Sequence, residues 1–223
     1  MSKKTALVLG ATGLIGSELV KILIQQNKYE KIHLLVRRSI GVNHSTCEEH
    51  VIDFDHLDEY SHLFHVTDVF CCLGTTIKTA KSKEAFRKVD YVYPVEAAKL
   101  SKQFHVDKFL IVTAMGSNPK SPIFYNRVKG EVEETLRMLK LRSLHIFRPS
   151  LLLGDRKEFR LGEKLMGMVS HLLNVILVGP LRPYRAIEAN KVALAMAASA
   201  NTNKTGVNIY PSHEIERMAN EVR

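Results

Sequence analysis

Two side chains with complementary proton chemistry stand four residues apart in this chain, at Tyr125 and Lys129. On a helix this spacing puts both side chains on one face, one turn apart. A lysine ammonium close to a phenol favours the phenolate form, which makes the phenol a better proton donor. Tyr125 is therefore a candidate general acid for a carbonyl oxygen, with Lys129 tuning it. The alternative is an amphipathic helix with an interfacial tyrosine.

A glycine-rich turn near the amino terminus could bind the coenzyme for such a reaction. Gly10, Gly13 and Gly16 lie between a predicted strand at residues 5–9 and a predicted helix at residues 13–26. Glycines let a turn be tight and let its backbone approach a diphosphate, which the helix N-terminus attracts. A strand before and a helix after are the context this motif requires. We expect the turn, including Thr12, Leu14 and Ile15, to bind a dinucleotide; the alternative is a turn without a ligand.

The residues after the second predicted strand indicate which of the two coenzymes, NADP(H) or NAD(H), the chain prefers. An acidic residue at this position binds the adenosine ribose hydroxyls of NAD. This chain has Arg37 and Arg38 instead. Two guanidinium groups match the 2′-phosphate of NADP in charge and in hydrogen-bonding geometry. The sequence therefore predicts a preference for NADP(H) over NAD(H), unless the two arginines are simply exposed charges at a strand end.

Strand and helix patterns that could position these residues alternate along the chain. Apolar runs predict buried strands at 5–9, 32–36, 50–52, 69–73, 109–112 and 144–147, and helical periodicity covers 13–26, 83–104 and 124–141. Such alternation predicts an α/β fold, with a doubly wound Rossmann-type parallel sheet and a small C-terminal substrate lobe. We expect an NAD(P)-binding domain at residues 1–150. The lobe, residues 151–223, should pack on it within one structural domain, with helices at 161–173 and 189–200 and a strand at 207–210.

Taken together, the glycine turn and the Tyr125–Lys129 pair resemble the short-chain dehydrogenase/reductase superfamily. Three further segments resemble its atypical Tat-interacting-protein branch, the HTATIP2-like oxidoreductases. They are Phe70-Cys-Cys-Leu-Gly-Thr-Thr76, Tyr125-Asn-Arg-Val-Lys-Gly-Glu-Val-Glu133 and Phe147-Arg-Pro-Ser-Leu-Leu-Leu153. The resemblance extends from Ala6 to about Tyr210, and its specificity comes from the order and spacing of the motifs.

This resemblance implies further binding roles. Asp53 and Phe54, after the third strand, would meet the adenine. Lys129 would also bind the hydroxyls of the nicotinamide ribose. The segment from Cys72 to Thr75 would border the adenosine and diphosphate, and the segment from Pro149 to Leu151 would pass near the nicotinamide; the residues concerned are Cys72, Leu73, Gly74, Thr75, Pro149, Ser150 and Leu151.

One segment departs from the family pattern, because these enzymes usually carry a serine hydroxyl at the end of the fifth strand to orient the carbonyl. Here the positions are Thr113, Ala114 and Ser117. If Thr113 takes this role the hydroxyl is kept, and if Ala114 occupies the position it is lost.

These residues lead to two main hypotheses for the function. The first is an NADP(H)-dependent oxidoreductase that acts on a small carbonyl or alcohol. The second is an NADP(H)-binding regulatory or sensor protein with a protein partner and little turnover.

The overall charge invites other functions that the distribution of residues does not favour. With 32 Lys and Arg against 23 Asp and Glu, the net charge is +9, which could suit a nucleic acid. The basic residues are scattered and lack interleaved aromatic side chains, so nucleic-acid binding is the third and weakest hypothesis. No run is long and apolar enough to cross a membrane. We expect a monomer or a homodimer.

The cysteines and histidines complete the candidate residues. Three cysteines, including the neighbours Cys71 and Cys72, make no disulfide framework and suggest a reducing compartment, from which we expect a cytoplasmic protein. His62 and His65 could be two metal ligands on one helical turn, but nothing at zinc-protease spacing accompanies them. We therefore predict surface histidines and no metal. Residues 151–156 and 180–185 are the expected walls of the substrate pocket, and the helix at 161–173 could be its lid or a partner-binding helix.

Overall fold

A central sheet of seven parallel strands organises the molecule. A computed structural model describes residues 3–153 and 186–221 of the chain. The sheet has the order β3-β2-β1-β4-β5-β6-β9, and a short parallel pair, β7-β8, lies apart from it. The strands are β1 Lys4–Leu9, β2 Tyr29–Val36, β3 Cys47–Val51, β4 Asp68–Cys71, β5 Lys108–Val112, β6 Ser143–Arg148, β7 Leu152–Leu153, β8 Ile187–Glu188 and β9 Gly206–Pro211.

Helices cover both faces of this sheet. In the described part of the chain they are α1 Leu14–Gln26, α2 Ile77–Ala80, α3 Lys83–Arg87, α4 Tyr93–Gln103, α5 Phe124–Met138, α6 Ala189–Ala200 and α7 Ser212–Glu221. A run of 3-10 turns, Phe54–Phe64, and a π-helical turn, Lys88–Val92, complete the elements. The Rossmann-type parallel sheet that the sequence predicts is therefore confirmed.

The two faces of β1 show why its sequence is apolar throughout. Side chains alternate across a strand, and Ala6 and Val8 enter the core beneath α1 and α6, whereas Leu7 and Leu9 enter the core beneath α4 and α5. The strand order reverses at β1, since β2 lies on one side of it and β4 on the other. This reversal leaves a crevice at the carboxyl ends of β1 and β4, where open α/β sheets bind ligands.

The helix predicted at residues 83–104 is confirmed from Lys83 to Gln103, where α3, the π-helical turn and α4 follow one another without a break. A π turn contains an extra residue, which rotates the faces of the helix on either side of it. The apolar Val92 is 39% exposed as a result, and the charged Asp90 is 1% exposed. The apolar periodicity of the segment contains no signal for this rotation.

The described C-terminal residues belong to the main core. β9 pairs with β6 over six residue pairs and becomes the seventh strand of the sheet, while α6 packs on α1. The domain boundary expected at residue 150 stays a prediction. Residues 154–185, with the expected helix at 161–173 and most of the expected pocket walls, lie outside those residues, so the substrate lobe stays a prediction.

A buried histidine side chain connects β6 and β9. The side chain of His145 on β6 has its Nε2 atom 2.8 Å from the Ser143 hydroxyl and its Nδ1 atom 2.9 Å from the Tyr210 hydroxyl on β9. The Tyr210 and His145 rings are stacked, with an interplanar angle of 6°. Burial, followed by the nearby charges of Lys108 and Lys204, lowers the pKa of His145 to about 4.

This lowered pKa predicts that the stabilisation from the His145 contacts between β6 and β9 is lost in acid. Unfolding restores an ordinary histidine pKa near 6.5, so the unfolded chain binds more protons than the folded chain between pH 6.5 and about 4. The stabilisation is fully present above pH 6.5 and falls as the pH approaches 4. Urea unfolding at several pH values should show a shallower loss of stability in His145→Gln than in the wild type. Equal slopes for the two proteins would contradict the assignment.

Candidate functional site

The glycine turn lies at the crevice between β1 and β4, and two of its glycines allow no side chain. Gly10 has a φ of +82°, and a Cβ atom there would lie 2.6 Å from the carbonyl oxygen of Cys72. A Cβ atom on Gly16 would lie 2.1 Å from the carbonyl oxygen of Gly10. Because these contacts are to backbone atoms, a side chain at either position displaces the main chain. The spacing of the glycines therefore reflects close packing of the turn, α1 and the end of β4.

The first turn of α1 presents its backbone toward the crevice. Gly13 is the N-cap residue and makes no side-chain capping bond, and Thr12 and Gly13 are exposed. The N–H groups at a helix start have no partner within the helix, and they carry the positive end of its dipole. Leu14 is half-buried and Ile15 is 6% exposed in the core, so their contribution to an anion site is through the backbone. The turn fits a diphosphate.

Arg37 and Arg38 follow β2 at the same edge of the sheet, and both are exposed. Among the ion pairs of the described residues, none involves either guanidinium. Asp53 is also exposed, and its side chain accepts a hydrogen bond from the Asp55 N–H at 3.0 Å. The Phe54 side chain is 6% exposed and its ring lies 5.5 Å from that of Tyr93. Phe54 can therefore meet a ligand only through its backbone.

A buried ion pair lies at the centre of the site. Lys129 Nζ is 2.8 Å from Asp90 Oδ1, with 6% of the lysine side chain exposed and none of the aspartate side chain. The other carboxylate oxygen of Asp90 accepts the N–H of Thr75 at 2.9 Å. Burial lowers the pKa of Lys129, but the charge of Asp90 and then that of Tyr125 outweigh it, and the net pKa is raised. Lys129 therefore remains an ammonium in the interior.

Tyr125 and Lys129 both lie on α5, one turn apart, as the sequence predicts. The Tyr125 side chain is half-buried, and its ring lies 5.6 Å from that of Phe86. A spacing of four residues puts the two side chains on one face of α5, and the charge of Tyr125 contributes to the raised pKa of Lys129. A Cβ atom on Gly74, which follows β4, would lie 3.8 Å from Lys129 Nζ. The structure thus brings Lys129 next to the segment after β4.

The hydroxyl of Thr113 is directed into the protein interior. Thr113 is 4% exposed, and its Oγ1 atom donates to Glu133 Oε1 at 2.7 Å. The buried Glu133 carboxylate also accepts Arg148 Nε at 3.0 Å. Ala114 is buried beside it, and the Ser117 hydroxyl donates to the Ala114 carbonyl at 2.6 Å. In this arrangement both candidate hydroxyls donate to protein acceptors.

The segment after β6 joins the crevice to the C-terminal helices. The carbonyl of Pro149 accepts the N–H of Met115 at 2.8 Å, and the Ser150 hydroxyl lies 2.9 Å from the Ser212 hydroxyl. Leu151 is 59% exposed. Of the expected pocket walls, residues 154–156 and 180–185 lie outside the described residues.

Cys71 ends β4 and Cys72 follows it, and both carry protonated thiols of low reactivity. All three cysteines of the chain are free, and Cys71 is buried. Burial raises the pKa of the Cys71 thiol to about 12 and also raises that of Cys72. Both are therefore neutral thiols, and Cys72 packs against the glycine turn through its backbone.

Sequence reasoning missed Asp90 and Glu133 as members of the site. Each is a buried carboxylate whose partners come from other elements, so nothing in its local pattern distinguishes it from a surface charge on a helix. The one usable signal for Asp90 is its place between two valines, Val89 and Val92, within the predicted helix.

Comparisons of the sequence with known proteins find relatives of this chain. The HIM1 family model matches residues 38–178. Protein HTATIP2 of Rattus norvegicus is 38% identical over 169 residues, which cover 74% of this chain and 69% of that protein. The mitochondrial protein FMP52 of Candida albicans is 30% identical over 224 aligned positions, which cover 96% of this chain and 98% of that protein.

Solved structures with low sequence identity share the fold. A UDP-Glc/GlcNAc 4-epimerase from Campylobacter jejuni superposes with a TM-score of 0.72 at 15% identity, covering 96% of this chain and 82% of that one. MoeE5, in complex with UDP-glucose and NAD, gives 0.70 at 15% identity, covering 98% and 81%. A short-chain dehydrogenase/reductase superfamily protein of Agrobacterium tumefaciens with bound NAD gives 0.69 at 13% identity, covering 92% and 76%. These structures share the Rossmann-type fold of the present chain.

The relatives also correct the expected location. Several FMP52 proteins are named mitochondrial, which contradicts the expectation of a cytoplasmic protein. Free cysteines argue against an oxidising compartment but do not distinguish one reducing compartment from another. Within residues 3–153 and 186–221, no helix has the length and apolar character to span a bilayer.

The buried ion pair generates a stability prediction. Asp90→Asn leaves the Lys129 ammonium buried without a counter-charge, and breaking such a pair costs about 3–5 kcal/mol. We expect urea unfolding to show a loss of this size. Adding Lys129→Met should recover part of the loss, because the double variant contains no unpaired charge.

A matched control is Glu96→Gln, which removes one partner of the exposed pair between Lys99 and Glu96. That loss should be no more than about 1 kcal/mol. If Asp90→Asn unfolds at the same urea concentration as the wild type, the central role of the buried pair is refuted.

Proposed function

The chain belongs to the HIM1 family, within the HTATIP2-like group of atypical short-chain dehydrogenase/reductases, and from this premise we propose that it is an NADP(H)-dependent oxidoreductase acting on a small carbonyl or alcohol substrate. Two solved structures with the same fold support a nicotinamide coenzyme, because MoeE5 and the Agrobacterium tumefaciens protein were solved with NAD. The phosphorylated coenzyme, the substrate class and the turnover are our own inference.

One observation supports the proposal above the others: a continuous path runs from the glycine turn to the proton-transfer pair. Gly10 packs against the backbone of Cys72 and Leu73, and Gly74 then lies beside Lys129 Nζ. A dinucleotide whose diphosphate lies on the turn would extend along this path toward Tyr125. In this proposal, the two local motifs of the sequence border one coenzyme crevice.

The residues of the chain then have distinct tasks. When bound, NADPH supplies the hydride that reduces the carbonyl carbon. Tyr125 donates its phenolic proton to the carbonyl oxygen, which becomes the alcohol. The Lys129 ammonium stabilises the resulting phenolate and binds the ribose hydroxyls. Asp90 holds Lys129 in place, and solvent returns the proton to Tyr125.

The choice of NADP(H) rests on the two arginines. Arg37 and Arg38 extend from the end of β2 with exposed guanidinium groups that make no ion pair among the described residues. A dianionic 2′-phosphate offers them charge-assisted, bidentate hydrogen bonds. A ribose with a free 2′-hydroxyl offers only neutral ones.

A second function, an NADP(H)-binding regulator with little turnover, is favoured by a specific observation. The Thr113 hydroxyl donates to Glu133, and the Ser117 hydroxyl donates to the Ala114 carbonyl. In this arrangement neither hydroxyl proton is available to orient a substrate carbonyl. A protein partner would then distinguish the coenzyme-bound form of the chain from the free form.

The coenzyme preference predicts the behaviour of an arginine variant. Arg37→Ala together with Arg38→Ala should weaken NADPH binding at least about tenfold, since hydrogen bonds to charged groups contribute about 1.5–3 kcal/mol each. NADH binding should change little. Isothermal titration calorimetry measures both constants. The control is Arg142→Ala, which removes one exposed positive charge at the amino end of β6. Equal affinity for both coenzymes in the wild type would refute the preference.

The catalytic role of Tyr125 predicts a separation of binding from turnover. Tyr125→Phe removes the transferable proton and keeps the ring, so NADPH affinity should stay within about threefold while the oxidation of NADPH slows by about 10²–10⁴-fold. The assay follows nicotinamide absorbance with a panel of aldehydes, ketones and quinones. NADPH binding with no turnover by the wild type would select the regulator, and no coenzyme binding at all would reject both functions.

A further inference from the structure

An imidazole cluster lies on one face of the sheet at the edge strand β3. The parallel register pairs His33 on β2 with Glu48 on β3, and pairs Leu35 with His50. Because successive side chains of a strand alternate between faces, Glu48 and His50 point to the same face as His33. The spacing of these residues in the sequence contains no hint of this, since His33 and His50 are 17 positions apart.

The ligand atoms of this cluster lie close together. His33 Nδ1 and His50 Nε2 are 2.9 Å apart, and Glu48 Oε1 is 3.9 Å from His50 Nε2. One ligand atom from each of the three residues lies within 4.8 Å of the others. In a tetrahedral zinc site, nitrogen ligands about 2.0–2.1 Å from the metal stand about 3.3 Å from each other. A small rotation of the two rings reaches that separation.

We propose that His33, Glu48 and His50 form a zinc-binding site that fastens the edge strand β3 to β2. Two imidazole nitrogens and one carboxylate oxygen are the donor set of many three-ligand zinc sites, in which a water molecule or a further side chain completes the tetrahedron. The proposal is independent of the coenzyme function, because none of the three residues takes part in the glycine turn or in the proton-transfer pair.

The charges around the cluster are compatible with a divalent cation. Lys31 Nζ binds Glu48 Oε2 at 2.7 Å, which leaves Oε1 facing His50. Both His33 and His50 are half-buried.

The edge position gives the metal a structural role. β3 is hydrogen-bonded to β2 alone, and Val51 at its end is 57% exposed. A zinc ion bound to both strands links them by coordinate bonds, and a ligand that binds only the folded chain stabilises it. The expected consequence is a more stable edge of the sheet, with no requirement for the metal in hydride transfer.

The test uses full-length protein without a histidine tag, stripped with EDTA and then titrated with Zn²⁺ against a chromophoric chelator at pH 7.5. We expect one equivalent to bind and to raise the melting temperature. His33→Gln and His50→Gln should each weaken binding at least about tenfold and abolish the thermal shift, by analogy with the cost of disturbing metal sites. Co²⁺ in place of Zn²⁺ should show the visible bands of a tetrahedral ion.

Two controls keep the result interpretable. His56→Gln removes an exposed imidazole of the same region and should bind Zn²⁺ like the wild type. Glu48→Gln changes an exposed side chain, so it should fold normally and still weaken binding. The proposal is overturned if the wild type binds no zinc, or if the His33→Gln/His50→Gln double variant binds it as tightly. In either case the two rings form only a hydrogen-bonded pair.

Discussion

The buried ion pair between Lys129 and Asp90 is the interaction on which the organisation of the site depends. A charge in a protein interior is tolerated only when it is paired, so α5 and the π-helical turn must face each other at this point. Asp90 also binds the backbone N–H of Thr75, which ties the segment after β4 to the same pair. The pair thus holds α5, the π-helical turn and the segment after β4 in fixed relative positions. These positions define one edge of the crevice.

Features encoded in contiguous residues could be predicted from the sequence. Strands buried on both faces appear as uninterrupted apolar runs, and the helix start after Gly13 follows from the glycine spacing. The same is true of Tyr125 and Lys129, because a spacing of four on a helix is a local relation. The sequence pattern did not indicate the π-helical turn, where one extra residue exchanges the faces and buries Asp90 while exposing Val92.

Features that depend on tertiary contacts could not be predicted in the same way. Thr113 has the residue type for orienting a carbonyl, yet its hydroxyl binds Glu133, whose charge Arg148 neutralises from the next strand. The side chains of His33 and His50 meet only because two parallel strands pair in a particular register. The C-terminal strand was predicted, but its place beside β6 depends on the completed sheet.

The placement of β9 at the far edge of the sheet has a consequence for biosynthesis. A ribosome releases β6 long before it releases Gly206–Pro211, so the nascent sheet has an open edge at β6 in the meantime. α6, which packs on α1, is likewise synthesised long after α1. The preceding part of the sheet therefore lacks these partners until they are synthesised, and a chain that stops after residue 153 exposes apolar surface and an unpaired strand.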